Sequence, residues 1–332
     1  MAKFMFFFFA AAICLTNAKV ITPTIPTLTL NDGNKIPVFG LGTWLNGGSN
    51  ESVQQAVEEA IAAGYRHIDT AAIYDTEKQV GAALKTKLDD GTVKREDIFI
   101  TTKLWNTKHE EEEVVPALRQ SLENLGLEFV DLYLIHWPVS LDENKEVDDT
   151  DFIGAWKGME EAKRLGLTKS IGVSNFNISQ LERIINTSKT VPAMNQVEVN
   201  PNFTQKKLIA FCKEHGIQVT AYTPLGSMPE PRAKDKDAPA PKLDDPILTK
   251  IGNKYGKSTV QVVLRYAIDR GLITIPKSVT TSRIQQNIDI FDFKLTPEEV
   301  ETIDGFNIDR RVVPQVKWSA SPFYPFEIKT EQ

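Results

Sequence analysis

Four reactive side chains stand at or beside the ends of short apolar runs. Asp69 closes RHID (66–69), Lys103 closes IFITTK (98–103), and His136 lies near the end of VDLYLIHW (130–137). Tyr74 follows Asp69 by five residues in HIDTAAIYDTE (67–77). A carboxylate, an ammonium, a phenol and an imidazole brought to one place would make a proton-transfer site. Each also has an ordinary reading. Asp69 could cap a helix, Tyr74 could be a surface aromatic, Lys103 a solvated strand end, and His136 a satisfied core histidine. The elements that carry them decide between these readings.

The chain alternates between two patterns. Eight short apolar runs read as strands: 38–43, 66–69, 98–103, 130–137, 169–174, 194–199, 218–222 and 272–276. Amphipathic stretches lie between them. In ESVQQAVEEAIAAG (51–64) the apolar residues Val53, Val57, Ala60 and Ile61 recur with the helical period, and Gly64 is placed to end the helix. VVPALRQSLENLGL and TQKKLIAFCKEHG read the same way. Buried strands alternating with helices imply parallel pairing, and eight such units predict a closed (β/α)8 TIM barrel. TLTL and KIPV around Asn31-Asp32-Gly33 predict a leading β-hairpin. An open doubly wound sheet is the competing architecture. It lacks its signature here, because GLGTWLNGG does not have the GxGxxG spacing and opens no helix directly. In a barrel the active site forms at the C-terminal ends of the strands, where all four reactive residues fall.

Two stretches depart from the alternation. TPLGSMPEPRAKDKDAPAPKLDDP (223–246) is a long, charged, Pro-rich loop of the kind that often serves as a lid or stays disordered. The tail, 310–332, carries Trp318, Phe323, Tyr324 and Phe326, and is too aromatic to be left in solvent. It is expected to pack back on the barrel.

Composition narrows the function classes. The 332 residues are 41% hydrophobic and 25% charged, with a formal net charge of −6. Charges of both signs are interspersed, which argues against nucleic acid as a partner. No metal is expected. The N-terminal MAKFMFFFFAAAICLTNAKV has Lys3, an apolar run at 4–15 and small residues before Ala18. This is the anatomy of a signal peptide, which places the expected barrel domain at 19–332 and the protein in the secretory lumen or outside the cell. If the leader is not used, the protein is cytoplasmic. The apolar run is short for a membrane span. Cys14 lies in the leader, so Cys212 is the one cysteine of the mature chain, and its helical setting predicts packing. Sequons occur at Asn50, Asn177, Asn186 and Asn202.

The motifs GLGTW, GYRHIDTAAIY, TTKLW, DLYLIHWP, SIGVSNF, NQVEVNP, AYTPLG and IPKSVT, in this order, resemble the aldo-keto reductases over about 27–326. The resemblance implies a (β/α)8 barrel that uses NADP(H) to interconvert carbonyls and alcohols. It maps a catalytic tetrad onto Asp69, Tyr74, Lys103 and His136. Hydride addition to a carbonyl leaves an alkoxide that must be protonated, and Tyr74 would supply the proton. The Lys103 ammonium would lower the Tyr74 pKa from its ordinary value near 10. Asp69 would hold Lys103 charged, and a neutral His136 would hydrogen-bond and orient the substrate oxygen. Some relatives that reduce steroid carbon–carbon double bonds carry glutamate at the histidine position, so His136 favours carbonyl reduction.

For the cofactor, the resemblance implies that Lys277, Ser278 and Arg283 bind the adenosine 2′-phosphate, with Val279 and Thr280 beside them at a helix start. Asn287 would contact adenine. Gln286 stands where many relatives have glutamate, which leaves the strength of its adenine contact open. Ser174, Asn175 and Gln196 would hold the nicotinamide carboxamide, Tyr222 would stack on the ring, and Leu225 and Ser227 would meet the pyrophosphate. Gly42, Thr43 and Trp44 complete the expected cofactor contacts. Trp44, Ile73, Trp105, His136 and Trp137 would line an apolar substrate pocket. A hydrophobic carbonyl fits such walls, and a secreted member points towards the insect reductases of 3-dehydroecdysteroids. The alternatives are a broad-specificity aldehyde reductase and, more remotely, a secreted binding protein that kept the fold without its chemistry. A monomer is the family habit.

Overall fold

The structure, a computed structural model, describes residues 24–45, 51–229, 232–234 and 237–327; the expected leader and the sequon at Asn50 lie outside the described residues. Strands β1 (Thr27–Thr29) and β2 (Lys35–Pro37) pair antiparallel, as predicted. Gly33 turns the hairpin at φ +87, a backbone conformation that glycine adopts without strain. The chain then enters β3 (Leu41–Gly42), β4 (His67–Asp69), β5 (Phe99–Leu104) and β6 (Val130–Ile135). A small hairpin, β7 (Ser140–Leu141) with β8 (Val147–Asp148), follows β6. The barrel resumes with β9 (Thr168–Ser174), β10 (Met194–Glu198), β11 (Gln218–Tyr222) and β12 (Ile273–Thr274). The eight strands β3, β4, β5, β6, β9, β10, β11 and β12 are parallel neighbours in that order. Parallel bridges from Phe39 to Thr274 and from Gly42 to Lys277 join the first strand to the last and close the barrel.

The closing strands are shorter than the sequence predicts. Only Leu41–Gly42 of 38–43 and Ile273–Thr274 of 272–276 form regular ladder, because their mutual pairing is reduced to isolated bridges. The central strands β5 and β6 are buried at every position, which keeps their sequences mostly apolar, while Thr101, Thr102, Lys103 and Asp131 are buried polar exceptions.

Helices α1 (Glu51–Ala62), α2 (Glu77–Asp89), α3 (Glu111–Leu125), α4 (Phe152–Arg164), α5 (Ile178–Thr187) and α6 (Lys206–Glu214) each link two consecutive barrel strands. Helix α1 buries Val53, Ala56, Val57, Ala60 and Ile61, the single face its sequence period predicts. Helix α3 starts three residues before the predicted stretch, and its extra turn is Glu111-Glu112-Glu113. Carboxylates there suit the positive end of the helix dipole. Between β11 and β12 lie α7 (Pro246–Tyr255) and α8 (Thr259–Asp269); α9 (Thr281–Ile288) and α10 (Pro297–Asp304) follow β12. Cys212 is fully buried and its thiol is pushed up to about 12 by burial, as a packing residue should be.

Two apolar layers hold the barrel. The larger lies between strands and helices. The smaller fills the interior with Phe99, Leu132, Leu134, Met194 and Ile273, and receives Leu30 and Ile36 from the hairpin. Ile36 is fully buried, which is worth about 1.5–3 kcal/mol for a side chain of this size. The hairpin therefore plugs one end of the barrel and leaves the other for the polar strand ends. As expected, the tail packs back: Trp318 is buried with Trp137, Val139 and Leu141, and Tyr324 and Phe326 pack against them.

Candidate active site

Successive strand residues face opposite sides, so β4 sends His67 and Asp69 into the barrel, and β5 sends Thr101 and Lys103. Thr101 lies opposite Asp69, and Lys103 lies opposite Leu134 of β6, with His136 two residues further on. The pairing register alone thus collects the carboxylate, the ammonium and the imidazole at one mouth. Lys103 is fully buried, and its Nζ donates to Asp69 Oδ1 at 2.5 Å and to the Thr70 carbonyl at 2.9 Å. Tyr74 reaches the same group from the loop. It ends a single turn of 3₁₀ helix, Ala72–Tyr74, which Asp75 stops in a left-handed conformation at φ 56. Thr76 braces that loop against the Thr70 and Thr43 hydroxyls. The Tyr74 Oη lies 3.5 Å from Lys103 Nζ. The His136 ring packs edge-on to Tyr74, with centroids 5.5 Å apart, and to Trp105 at 5.3 Å.

The electrostatics agree with the expectation for Lys103 and His136 and correct it for Tyr74. Burial disfavours the Lys103 ammonium, but Asp69 and Tyr74 more than offset that, and its pKa is raised. His136 is held well below the ordinary imidazole range by burial, with Lys103 adding to the effect, so it is neutral. Asp69 anchors the Lys103 group through a 2.5 Å contact. Tyr74 departs from the sequence expectation. Lys103 does lower its pKa, but burial disfavours the phenolate more strongly, and the net direction is upward. Burial thus favours the protonated phenol, while Lys103 alone acts to stabilise its anion.

The residues expected to hold a nicotinamide carboxamide are brought together at the neighbouring strand ends. Ser174 Oγ donates to the Gln196 carbonyl at 2.8 Å, and Asn175 Nδ2 donates to Ser174 Oγ and to the His136 carbonyl at 3.1 and 2.9 Å. Tyr222 Oη donates to Asn175 Oδ1 at 2.7 Å. Gln196 Nε2 donates to Asp69 Oδ2 at 2.7 Å, which ties this group to the Lys103 pair. Sequence reasoning missed that link, although Gln196 faces the barrel interior like Asp69.

A small crevice lined by Gly42, Thr43, Leu45, Lys277, Ser278 and Val279 opens at the seam of the barrel. At Gly42 a Cβ would lie 3.0 Å from the Ile275 carbonyl oxygen, so a larger residue would press on that backbone. Among the described residues neither Lys277 nor Arg283 has a carboxylate partner. Loss of solvent and the repulsion of Arg283 both push the Lys277 pKa down. Two unneutralised cations at the start of α9, next to Thr280 and the Ser278 hydroxyl, fit a phosphate. Asn287 is buried on α9, and Gln286 is exposed one residue before it. Leu225 is half-buried and Ser227 buried in the turn after β11.

Of the expected pocket residues, Trp105 and His136 are in contact at the mouth. Trp44 and Ile73 are 45% and 42% exposed. Trp137 is nearly covered, because Trp318 and Phe326 stack edge-on against it at 5.3 and 5.7 Å. Trp318 also meets Trp105 at 6.0 Å, so the aromatic tail adds to this wall, as the sequence suggests.

Fold and site together define a parallel barrel whose C-terminal mouth holds a buried phenol, an Asp–Lys ion pair and a neutral imidazole beside two unpaired cations at a helix start. The sequence model of the Aldo/keto reductase family matches residues 38–308, and the chain belongs to that family. It is 50% identical over 305 residues to the Bombyx mori aldo-keto reductase AKR2E4, with 90% of this chain and 98% of that protein covered. The crystal structure of that enzyme in complex with NADP superposes with a TM-score of 0.89, covering 92% of this chain and 100% of the other. The structure of the silkworm reductase AKR2E5 complexed with NADPH gives 0.90 at 43% identity, covering 93% and 96%. Aldo-keto reductase family 1 member D1 of Mus musculus is 44% identical over 317 residues, covering 90% and 96%.

Proposed function

We propose that this chain reduces a ketone or aldehyde to the alcohol with NADPH, Tyr74 supplying the proton. The observation that carries the reading is the buried Asp69–Lys103 pair, whose ammonium stands 3.5 Å from Tyr74 Oη beside a neutral His136. The similarity to enzymes solved with NADP and NADPH supports the cofactor. So do the two unpaired cations, which suit a 2′-phosphate held by Lys277, Ser278 and Arg283. Ser174, Asn175 and Gln196 would hold the carboxamide, and Tyr222 the ring face. Leu225 and Ser227 would meet the pyrophosphate, and Asn287 and Gln286 the adenine.

Bound NADPH supplies the hydride. The protein's own residues manage the proton and the charge. His136, neutral, donates to the carbonyl oxygen and fixes its direction. Tyr74 gives its proton to that oxygen as negative charge develops. Lys103 stabilises the tyrosinate left behind, and Asp69 keeps Lys103 in place. Trp105 and the tail exclude water and favour an apolar carbonyl. A hydrophobic ketosteroid such as a 3-dehydroecdysteroid suits an aromatic wall, and the 50% identity to a silkworm enzyme makes an insect substrate the first to try.

The test follows NADPH absorbance with a panel of ketosteroids, aldehydes and quinones. Tyr74→Phe should lower kcat by about 10²–10⁴-fold, the usual worth of a positioned general acid, while NADPH affinity survives. Undiminished turnover in Tyr74→Phe would sink the donor assignment.

The leader supports a second proposal, that the chain enters the secretory pathway. There Asn186, exposed on α5, is the described sequon free to carry a glycan. Asn177 Nδ2 donates to the Pro325 carbonyl, and Asn202 Nδ2 to the Ala240 and Phe306 carbonyls. N-terminal sequencing of the native protein should begin near Lys19; an intact Met1 would refute it.

A further inference from the structure

Glu198 ends β10, two residues beyond Gln196 and on the same face, and it is 1% exposed. Its carboxylate takes no part in the proton chemistry. Oε1 accepts the Val312 backbone N–H at 2.7 Å and Asn200 Nδ2 at 3.1 Å, and Oε2 accepts the Val313 N–H at 2.9 Å. No described lysine or arginine lies within ion-pair distance of it. A buried carboxylate is costly, and here it is spent on neutral donors of the tail.

The barrel does not need those bonds, since it closes at Thr274 and Lys277, well before the tail begins. What the bonds fix is the root of the segment that bears Trp318. Arg311, just before the two valines, lies over the rings of Phe326 and Phe203 at 3.6 and 4.3 Å. The far end of the tail is held separately, by Gln180 Nε2 on the Phe323 carbonyl at 2.8 Å and by Asn177 on Pro325. Trp318 is suspended between these two fastenings, against Trp105 and Trp137. Trp105 in turn touches His136. The residues after Glu198 extend the same anchorage. Asn202 accepts the Ile308 and Arg310 N–H groups on its carbonyl, and its side chain reaches Ala240 of the long loop.

We propose that Glu198 is a specificity-determining positioning residue: by gripping the Val312 and Val313 N–H groups it sets where Trp318 stands, and thereby the size and shape of carbonyl the site accepts. The proposal rests on the reductase reading above. The Glu198 carboxylate makes no hydrogen bond to Asp69, Tyr74, Lys103 or His136, so its loss should change selectivity and leave the proton chemistry intact.

The experiment compares wild type, Glu198→Gln, Glu198→Ala and Val312→Pro on a bulky four-ring 3-ketosteroid and on propanal. Limited trypsin digestion at Lys317, exposed beside Trp318, reports the tail directly. In Glu198→Ala, KM for the ketosteroid should rise at least about tenfold, the scale of one lost charged hydrogen bond, while kcat and KM for propanal and the NADPH Kd stay within about twofold. Cleavage at Lys317 should accelerate in parallel. Glu198→Gln, which keeps the shape and one acceptor oxygen, should fall between. Val312→Pro removes one tail donor with Glu198 intact and should repeat the pattern, which keeps the test open if Glu198→Ala does not fold. Equal losses on both substrates, or an unchanged ketosteroid-to-propanal ratio, would overturn the proposal. Absence of turnover of any carbonyl by wild type would remove the reductase reading and the specificity role with it, while the digestion arm still decides the anchoring.

Discussion

The molecule keeps two cationic centres at its mouth under opposite rules. Lys103 is fully buried, bonded to Asp69 and Thr70, and neutralised within the protein. Lys277 and Arg283 lie at the exposed start of α9, facing each other and no carboxylate. The first arrangement costs desolvation, and it is stable only because its partner is fixed and its remaining proton donors are satisfied. The second is mildly repulsive, screened by water, and leaves both charges available to the phosphate proposed above. A cation that must act at one atom is built into the core. A cation that must recognise a ligand is left unpaired at the surface.

The sharpest way to break this comparison is to remove the buried charge. Lys103→Met leaves Asp69 unpaired in the interior, and stability in urea should fall by about 3–5 kcal/mol. The double variant Asp69→Asn/Lys103→Met should lose clearly less than the sum of the single changes, since the two residues share one interaction. The pH profile gives a separate readout. With Tyr74 as the donor proposed above, kcat/KM should hold through neutral pH and fall on the alkaline side as Tyr74 ionises. Burial raises that pKa and Lys103 lowers it. Any residual activity of Lys103→Met should therefore show its alkaline limb at higher pH than wild type. A limb at lower pH would contradict the assignment of Lys103 as the group that favours the tyrosinate.

The surface pair should respond in binding and not in folding. Arg283→Met or Lys277→Met should raise the NADPH Kd about 10–100-fold, the loss of one charged contact to a phosphate, and change the NADH Kd by no more than about threefold. Fluorescence titration with both nucleotides measures this. Equal weakening of the two would mean that the cations do not read the 2′-phosphate.

The same contrast explains what the sequence made legible. Asp69, Lys103 and His136 could be placed because each closes an apolar run, and parallel register carries strand ends to one rim. The tail could be predicted to pack, since Trp318, Phe323, Tyr324 and Phe326 have no stable place in water. Its fastening could not. The donors that Glu198 holds are backbone N–H groups of Val312 and Val313, which leave no trace in residue type. The one available signal was a glutamate inside MNQVEV, on the barrel-facing register of Gln196. The direction of the Tyr74 pKa escapes the sequence for a related reason. A neighbouring ammonium is visible in sequence, whereas the depth of burial that outweighs it is set by three-dimensional packing. The regular ladder of β3 and β12 was overestimated because barrel closure by isolated bridges follows from strand stagger, not composition.

The smallest effect tests the electrostatic half of the comparison most directly. Because Lys277 and Arg283 repel each other with no partner between them, Lys277→Met should not destabilise the ligand-free fold. Its unfolding free energy should match wild type within about 0.5 kcal/mol, with any change towards greater stability. Two like charges at a surface interact through screened solvent, so that gain should be largest at low ionic strength and vanish near 1 M salt, where the Debye length is about 3 Å. The nucleotide reverses the sign. Saturating NADPH should stabilise wild type more than Lys277→Met, since ligand-linked stability follows RT ln(1 + [L]/Kd) and the variant binds more weakly. Urea melts at two salt concentrations, with and without NADPH, separate the two effects. A variant less stable than wild type in the absence of nucleotide would mean that Lys277 serves the fold, and the division between a paired structural cation and an unpaired recognition cation would fail.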